Sequence, residues 1–209
     1  MKLISLILTM LLILSTSALA RPVSYPTGVT LIQMNSANRN SLLIHYSPTI
    51  KYSLGYRGEY WRDEERQFHG AQLNYLAKRW NQPSLQANFY IKSGVGAIEQ
   101  STTGGKLAAF TGFAWDWEDR RYFTSYENRY FDGEGIQAFF TQKARLGVAP
   151  YLGDYGDLHT WLMLQVDHDT QRDDSVHITP LIRLFKKEYL AELGINEHGD
   201  ALLNLIIRF

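Results

Sequence analysis

Four groupings in this 209-residue chain carry residue types that do chemistry. Asp167-His168-Asp169, followed by His177, sets carboxylates beside imidazoles, the parts of a general acid–base site. His45 close to Ser47, and the hydroxyls of Thr124-Ser125, are the raw material of a nucleophile and its base. His159, His168 and His177 with Asp167 could hold Zn²⁺ or Cu²⁺ if the fold gathered them. Gly94-Val95-Gly96 and the glycines of 153–156 resemble phosphate-wrapping loops only in composition, because neither stands between a strand and a helix. His159 and His168 differ in parity, so on one strand they point to opposite faces. The expectation is therefore no catalytic residue, no metal and no cofactor.

The elements that must position these residues read as strands. Apolar and polar residues alternate almost throughout, and Gly, Pro, Asn and Asp clusters punctuate the alternation. The expected strands are 27–36, 41–47, 50–61, 67–80, 84–98, 108–118, 121–131, 138–152, 158–168, 175–185, 188–196 and 201–209. Twelve is the preferred count, with ten if 27–47 is a single irregular hairpin. Over 175–185, Val176, Ile178, Pro180, Ile182 and Leu184 oppose His177, Thr179 and Arg183. Side chains alternate faces along a strand, so each strand has an apolar and a polar face. The polar phase collects Lys51, Arg57, Glu59, Asn88, Lys92, Glu127, Arg129, Lys143, Arg145, His159, Asp167, His177, Arg183, Glu192 and Arg208. The whole chain is in charge balance, 21 basic to 21 acidic residues, which argues against a nucleic-acid partner. It has no Cys, so disulfides, thiolate metal sites and a lipidated N-terminal cysteine are excluded.

Both ends carry signals. Lys2, the apolar run Leu3 to Leu14 and the small-x-small Ala18-Leu19-Ala20 have the layout of a secretory signal peptide cleaved before Arg21. The expected organisation is a signal peptide over 1–20 and one domain over 21–209. At the other end Leu203, Leu205, Ile207 and Phe209 share one phase, and LLNLIIRF resembles the C-terminal β-signal of Gram-negative outer-membrane proteins. That resemblance implies an all-β, closed antiparallel transmembrane barrel in the outer membrane. Its partners would be outer-membrane lipid, the barrel-assembly machinery that reads the signal, and small solutes. Aromatics near strand ends, among them Trp61, Trp80, Phe131 and Phe139, are expected to form interfacial girdles. The longest connection is expected at 99–107, on the external side. With the polar phase inward, the lumen is either a narrow anion-favouring channel or a plug of paired charges. The expected protein is thus a non-enzymatic channel or structural barrel. A soluble periplasmic barrel binding an apolar ligand would invert the phases. A membrane hydrolase would need a rim site: omptin-type proteases resemble the Asp167/His177 grouping, but the second acidic pair they use is not found here. The nearest Ser/His material, around His45, lacks the surroundings of outer-membrane phospholipases.

Overall fold

The computed structural model describes residues 22–100, 103–154, 156–172 and 175–209; the expected signal peptide lies outside them. Twelve strands form a closed antiparallel barrel: β1 (Gly28–Asn35), β2 (Arg39–Ser47), β3 (Tyr52–Trp61), β4 (Arg66–Asn81), β5 (Leu85–Gln100), β6 (Thr103–Asp119), β7 (Tyr122–Gly133), β8 (Phe139–Val148), β9 (His159–Asp169), β10 (Val176–Lys186), β11 (Tyr189–Ile195) and β12 (Ala201–Arg208). Each strand pairs with its sequence neighbours, and β1 pairs with β12 to close the ring from Thr30↔Arg208 to Asn35↔Leu203. Val29 and Phe209 extend this seam by exchanging backbone hydrogen bonds of 3.1 and 2.8 Å. No described helix is long and apolar enough to cross a membrane, which leaves strand crossing untouched.

The apolar phase faces outward on most of the strands, β1 excepted, where Ile32 and Met34 line the interior. Ile44, Leu54, Ile91, Leu146, Ile182 and Leu205 are examples, and Leu146 is 63% exposed. In water such a surface is a liability, whereas hydrocarbon favours it. A soluble binder of an apolar ligand needs the opposite arrangement, because the inward phase here is mostly polar: Ser53, Glu59, Gln72, Asn74, Arg145 and Glu192 are all buried.

The start of β1 and the end of β12 lie at one rim, the terminus rim, and the opposite one is the far rim. β5 and β6 run 16 and 17 residues and meet at the far rim. The long connection expected at 99–107 is absent: Ile98 pairs with Lys106 and Gln100 with Thr103, so the ladder continues past a register shift. The longest connection is 149–158, at the terminus rim, because β8 ends at Val148 rather than near 152.

The expected aromatic girdle is also corrected in part. Trp61, Phe68, Phe110, Phe131 and Phe139 pack with Ile98 and Ala108 inside the barrel, near the far rim. Their rings meet at 5.1 to 5.9 Å, mostly edge to face with two stacked pairs, the favoured aromatic geometries. Trp61 shares parity with Arg57 and Glu59, and Phe131 with Glu127 and Arg129, so the pleat turns them inward. Glycines make room for these rings: a Cβ on Gly94 would lie 2.4 Å from the Phe110 ring, and one on Gly70 would lie 2.5 Å from Phe68.

Candidate functional site

The interior is organised around three carboxylates, each bracketed by two cations. Glu59 on β3 takes a bidentate pair from Arg129 on β7, 2.8 Å to each oxygen, and bonds from Arg57, 2.7 Å at Nε. Glu127 on β7 meets Lys92 at 2.9 Å and Lys143 at 4.0 Å. Glu192 on β11 accepts from Arg145 at 3.0 Å and Arg183 at 2.7 Å through one oxygen, while Asn204 donates to the other at 2.7 Å. Six cations thus face three carboxylates within the triads, and Asp167, the register partner of Lys143, stands beside them as a further carboxylate. The arginines are buttressed by rings: Arg129 lies 4.9 Å from the Phe110 centroid and Arg183 lies 4.6 Å from that of Phe123.

Neutral polar side chains join the triads to the wall. Arg57 donates to Gln72, Gln72 to Asn74, Asn74 to Ser53, and Ser53 to the Pro22 carbonyl, in steps of 2.6 to 2.9 Å. Arg145 also donates to Gln165 at 2.6 Å, which in turn bonds Asp167. The sequence reading passed over Ser53, Gln72, Asn74, Gln165 and Asn204, although each shares the parity of an interior charge on its own strand or of that charge's register partner. Neutral amides carry no alternation signal by themselves.

A cavity of about 150 Å³ lies between the triads. Asn38, Arg172 and Asp200 border it at the far rim, and Pro22 lies at its other end. Residues 22–25 fold back into the terminus rim to form that floor. Val23 is 2% exposed and packs on Leu76, Tyr90 and Ala114, and the Ser24 amide donates to Ser47 Oγ at 3.0 Å.

Arg57, Glu59, Lys92, Glu127, Arg129, Lys143, Arg145, Asp167, His177, Arg183, Glu192 and Arg208 all point inward, as do Asn88 and His159. Asn88 links Arg79 to Asp116, 2.7 Å to each. Lys51 is the exception: it lies in the 48–51 connection, exposed and outside β3, because the strand begins one residue later. The hydrolytic groupings do not assemble. His177 and Asp167 are register partners, but His177 bonds Glu197 at 3.2 Å and Asp167 bonds Gln165. His168, of opposite parity to Asp167, meets Gln142 at 3.3 Å. His45 and Ser47 both face inward, yet Ser47 Oγ is engaged by Ser24, and neither nitrogen of the His45 ring has a hydrogen-bond partner among the described residues. His159 and His168 occupy opposite ends of β9, so the four-residue metal grouping does not form.

No protein-family model matches the sequence, and no curated protein does either. Among solved structures, the KdgM porin in complex with disordered oligogalacturonate is similar at a TM-score of 0.51 and 11% identity, covering 87% of this chain and 98% of that one. OccAB4 from Acinetobacter baumannii is similar at a TM-score of 0.42 and 13% identity, over 86% of this chain and 56% of that one. At such identities the likeness is one of fold, a closed antiparallel β-barrel.

Proposed function

We propose that the chain, exported through the signal peptide expected at 1–20, is a small outer-membrane channel that favours anionic solutes and performs no catalysis. The observation that carries this reading is the excess of cations among the residues that line the cavity, seven Lys and Arg against four Asp and Glu, and the cavity reaches the far rim. A narrow lumen lined by an excess of positive charge lowers the barrier for anions and raises it for cations. The far rim faces the exterior, as follows for a barrel with both termini in the periplasm. The outward apolar phase meets lipid, and Leu203, Leu205, Ile207 and Phe209 present the assembly signal to the barrel-assembly machinery. The similar porin is described with an oligogalacturonate, a polyanionic sugar, and an acidic oligosaccharide or a smaller organic anion suits this interior in charge.

The test is reconstitution in planar bilayers under a salt gradient. Anion-selective current is expected, and cation selectivity would overturn the reading. A second reading, a sealed structural barrel, is favoured by the Val23 floor and the aromatic cluster. It predicts a detergent-resistant, heat-modifiable membrane protein with no single-channel current.

A further inference from the structure

Three side chains at the far rim stand apart from the interior triads. His177 is near the start of β10, and Glu197 and His198 lie in the 196–200 connection between β11 and β12. His177 Nδ1 is 3.2 Å from Glu197 Oε1, and His198 Nε2 is 3.4 Å from the same oxygen. One ligand atom from each of the three residues lies within 4.8 Å of the other two. The two imidazoles stand edge to face with centroids 5.5 Å apart.

Backbone geometry holds the group together. Glu197 Oε2 accepts from the Ile178 amide at 2.8 Å, which ties the connection to β10. Asn196 Oδ1 accepts from the amides of His198 and Asp200 at 3.0 and 2.7 Å. Gly199 turns the chain back with φ of +87°, a conformation glycine takes without strain. Backbone hydrogen bonds, first from its own amide and then from Ile178, hold the Glu197 carboxyl below its ordinary range, so it is an anion at neutral pH.

Tetrahedral zinc binds nitrogen and oxygen donors at about 2.0–2.2 Å, which sets donor-to-donor edges near 3.3–3.5 Å. The two edges to Glu197 Oε1, 3.2 and 3.4 Å, lie close to that length. The third closes by rotation of His198, whose side chain is 52% exposed. Two imidazoles and one carboxylate favour Zn²⁺, Cu²⁺ or Ni²⁺ over Ca²⁺ and Mg²⁺, which prefer oxygen ligands.

We propose that His177, Glu197 and His198 form a three-ligand site for a divalent transition-metal ion of the zinc class, with one coordination position left to water. The site borders the cavity mouth, since His177, Asn196 and Asp200 all line it. A bound dication would add positive charge where an anionic solute enters. The site does not depend on the channel reading, because a sealed barrel would carry the same three ligands.

The experiment is calorimetric titration of the refolded chain in detergent micelles with ZnCl₂, paralleled by the visible absorption of Co²⁺. One equivalent of Zn²⁺ is expected to bind and to resist displacement by a large excess of Ca²⁺, and Co²⁺ is expected to show the intense bands of tetrahedral coordination. His198→Ala should weaken binding by at least about tenfold, the lower end of what loss of a supporting partner costs a metal site. That residue is loop-borne and exposed, so the variant keeps the heat-modifiable barrel; His177→Ala should act in the same direction. Absence of binding in the parent chain, unchanged affinity in His198→Ala, or ready displacement by Ca²⁺ would each overturn the proposal. Metal binding without current would count against the channel alone, and current without metal binding against the site alone.

Discussion

Glu192 concentrates the electrostatics of one wall on two oxygens. It is 2% exposed, and Arg145 and Arg183 both donate to its Oε1. Neutralising it leaves two guanidiniums facing each other with no shared anion. Glu192→Gln should therefore cost about 3 kcal/mol, the low end for breaking a buried ion pair because the cavity beside it admits water. The measurement is a urea refolding midpoint in micelles. The same variant should shift the reversal potential further toward that of the anion. Trp61 tests the apolar side of the interior: it is fully buried between Phe131 and Phe139, and Trp61→Ala should cost about 3–4 kcal/mol in the same assay. The nine triad charges sit at polar-phase positions that the alternation singles out, whereas buried Arg66 and Glu118 and the cavity-lining Arg39 and Asp169 were not picked out. The inward turn of Trp61 and Phe131 was equally available from parity, and their strand-end positions masked it. Two features were not legible. The shared acceptor of Arg145 and Arg183 depends on register across β8 to β11, and the meeting of His177 with Glu197 and His198 depends on a loop reaching over a neighbouring strand.

At the scale of elements, the close packing of β4 against β5 rests on an opposed glycine pair, Gly70 and Gly96. A Cβ at Gly96 would lie 2.2 Å from the His69 carbonyl oxygen and 2.5 Å from the Gly70 Cα, both backbone atoms that cannot rotate away. Gly96→Val should push the two strands apart and destabilise the barrel by about 2–3 kcal/mol, at the upper end of overpacking costs. The check is the fraction of heat-modifiable protein after refolding, and an unchanged fraction would show that the sheet yields more easily than these distances imply. Strand identity and order followed from the alternation with few errors. The errors fell where glycine has two meanings: Gly104-Gly105 reads as a loop but continues β6 beside β5, and the 149–158 connection begins earlier than the apolar residues around it suggest. A glycine is compatible with a turn or with a crowded ladder, and only the neighbouring strand decides between them.

At the scale of the whole molecule, residues 22–25 decide how far the cavity extends. The Pro22 carbonyl ends the hydrogen-bond chain that starts at Arg57, and Val23 fills the space among Leu76, Tyr90 and Ala114. Deleting 22–25 from the mature chain should raise single-channel conductance while leaving the heat shift intact. Unchanged conductance would assign the constriction to the aromatic cluster instead. The β1–β12 seam has a further consequence, for the order of events in folding. Even its nearest pair in sequence, Asn35 and Leu203, is 168 positions apart, while every other strand pair closes through a short connection. Chain entropy makes that closure costlier than a ten-residue hairpin by about 2.5 kcal/mol. Hairpins can form early, but the circle completes last, and until then β1 and the newest strand each present an unpaired backbone edge. A chain clipped anywhere before β12 therefore keeps both edges permanently, so such fragments should aggregate or be degraded rather than persist as smaller barrels.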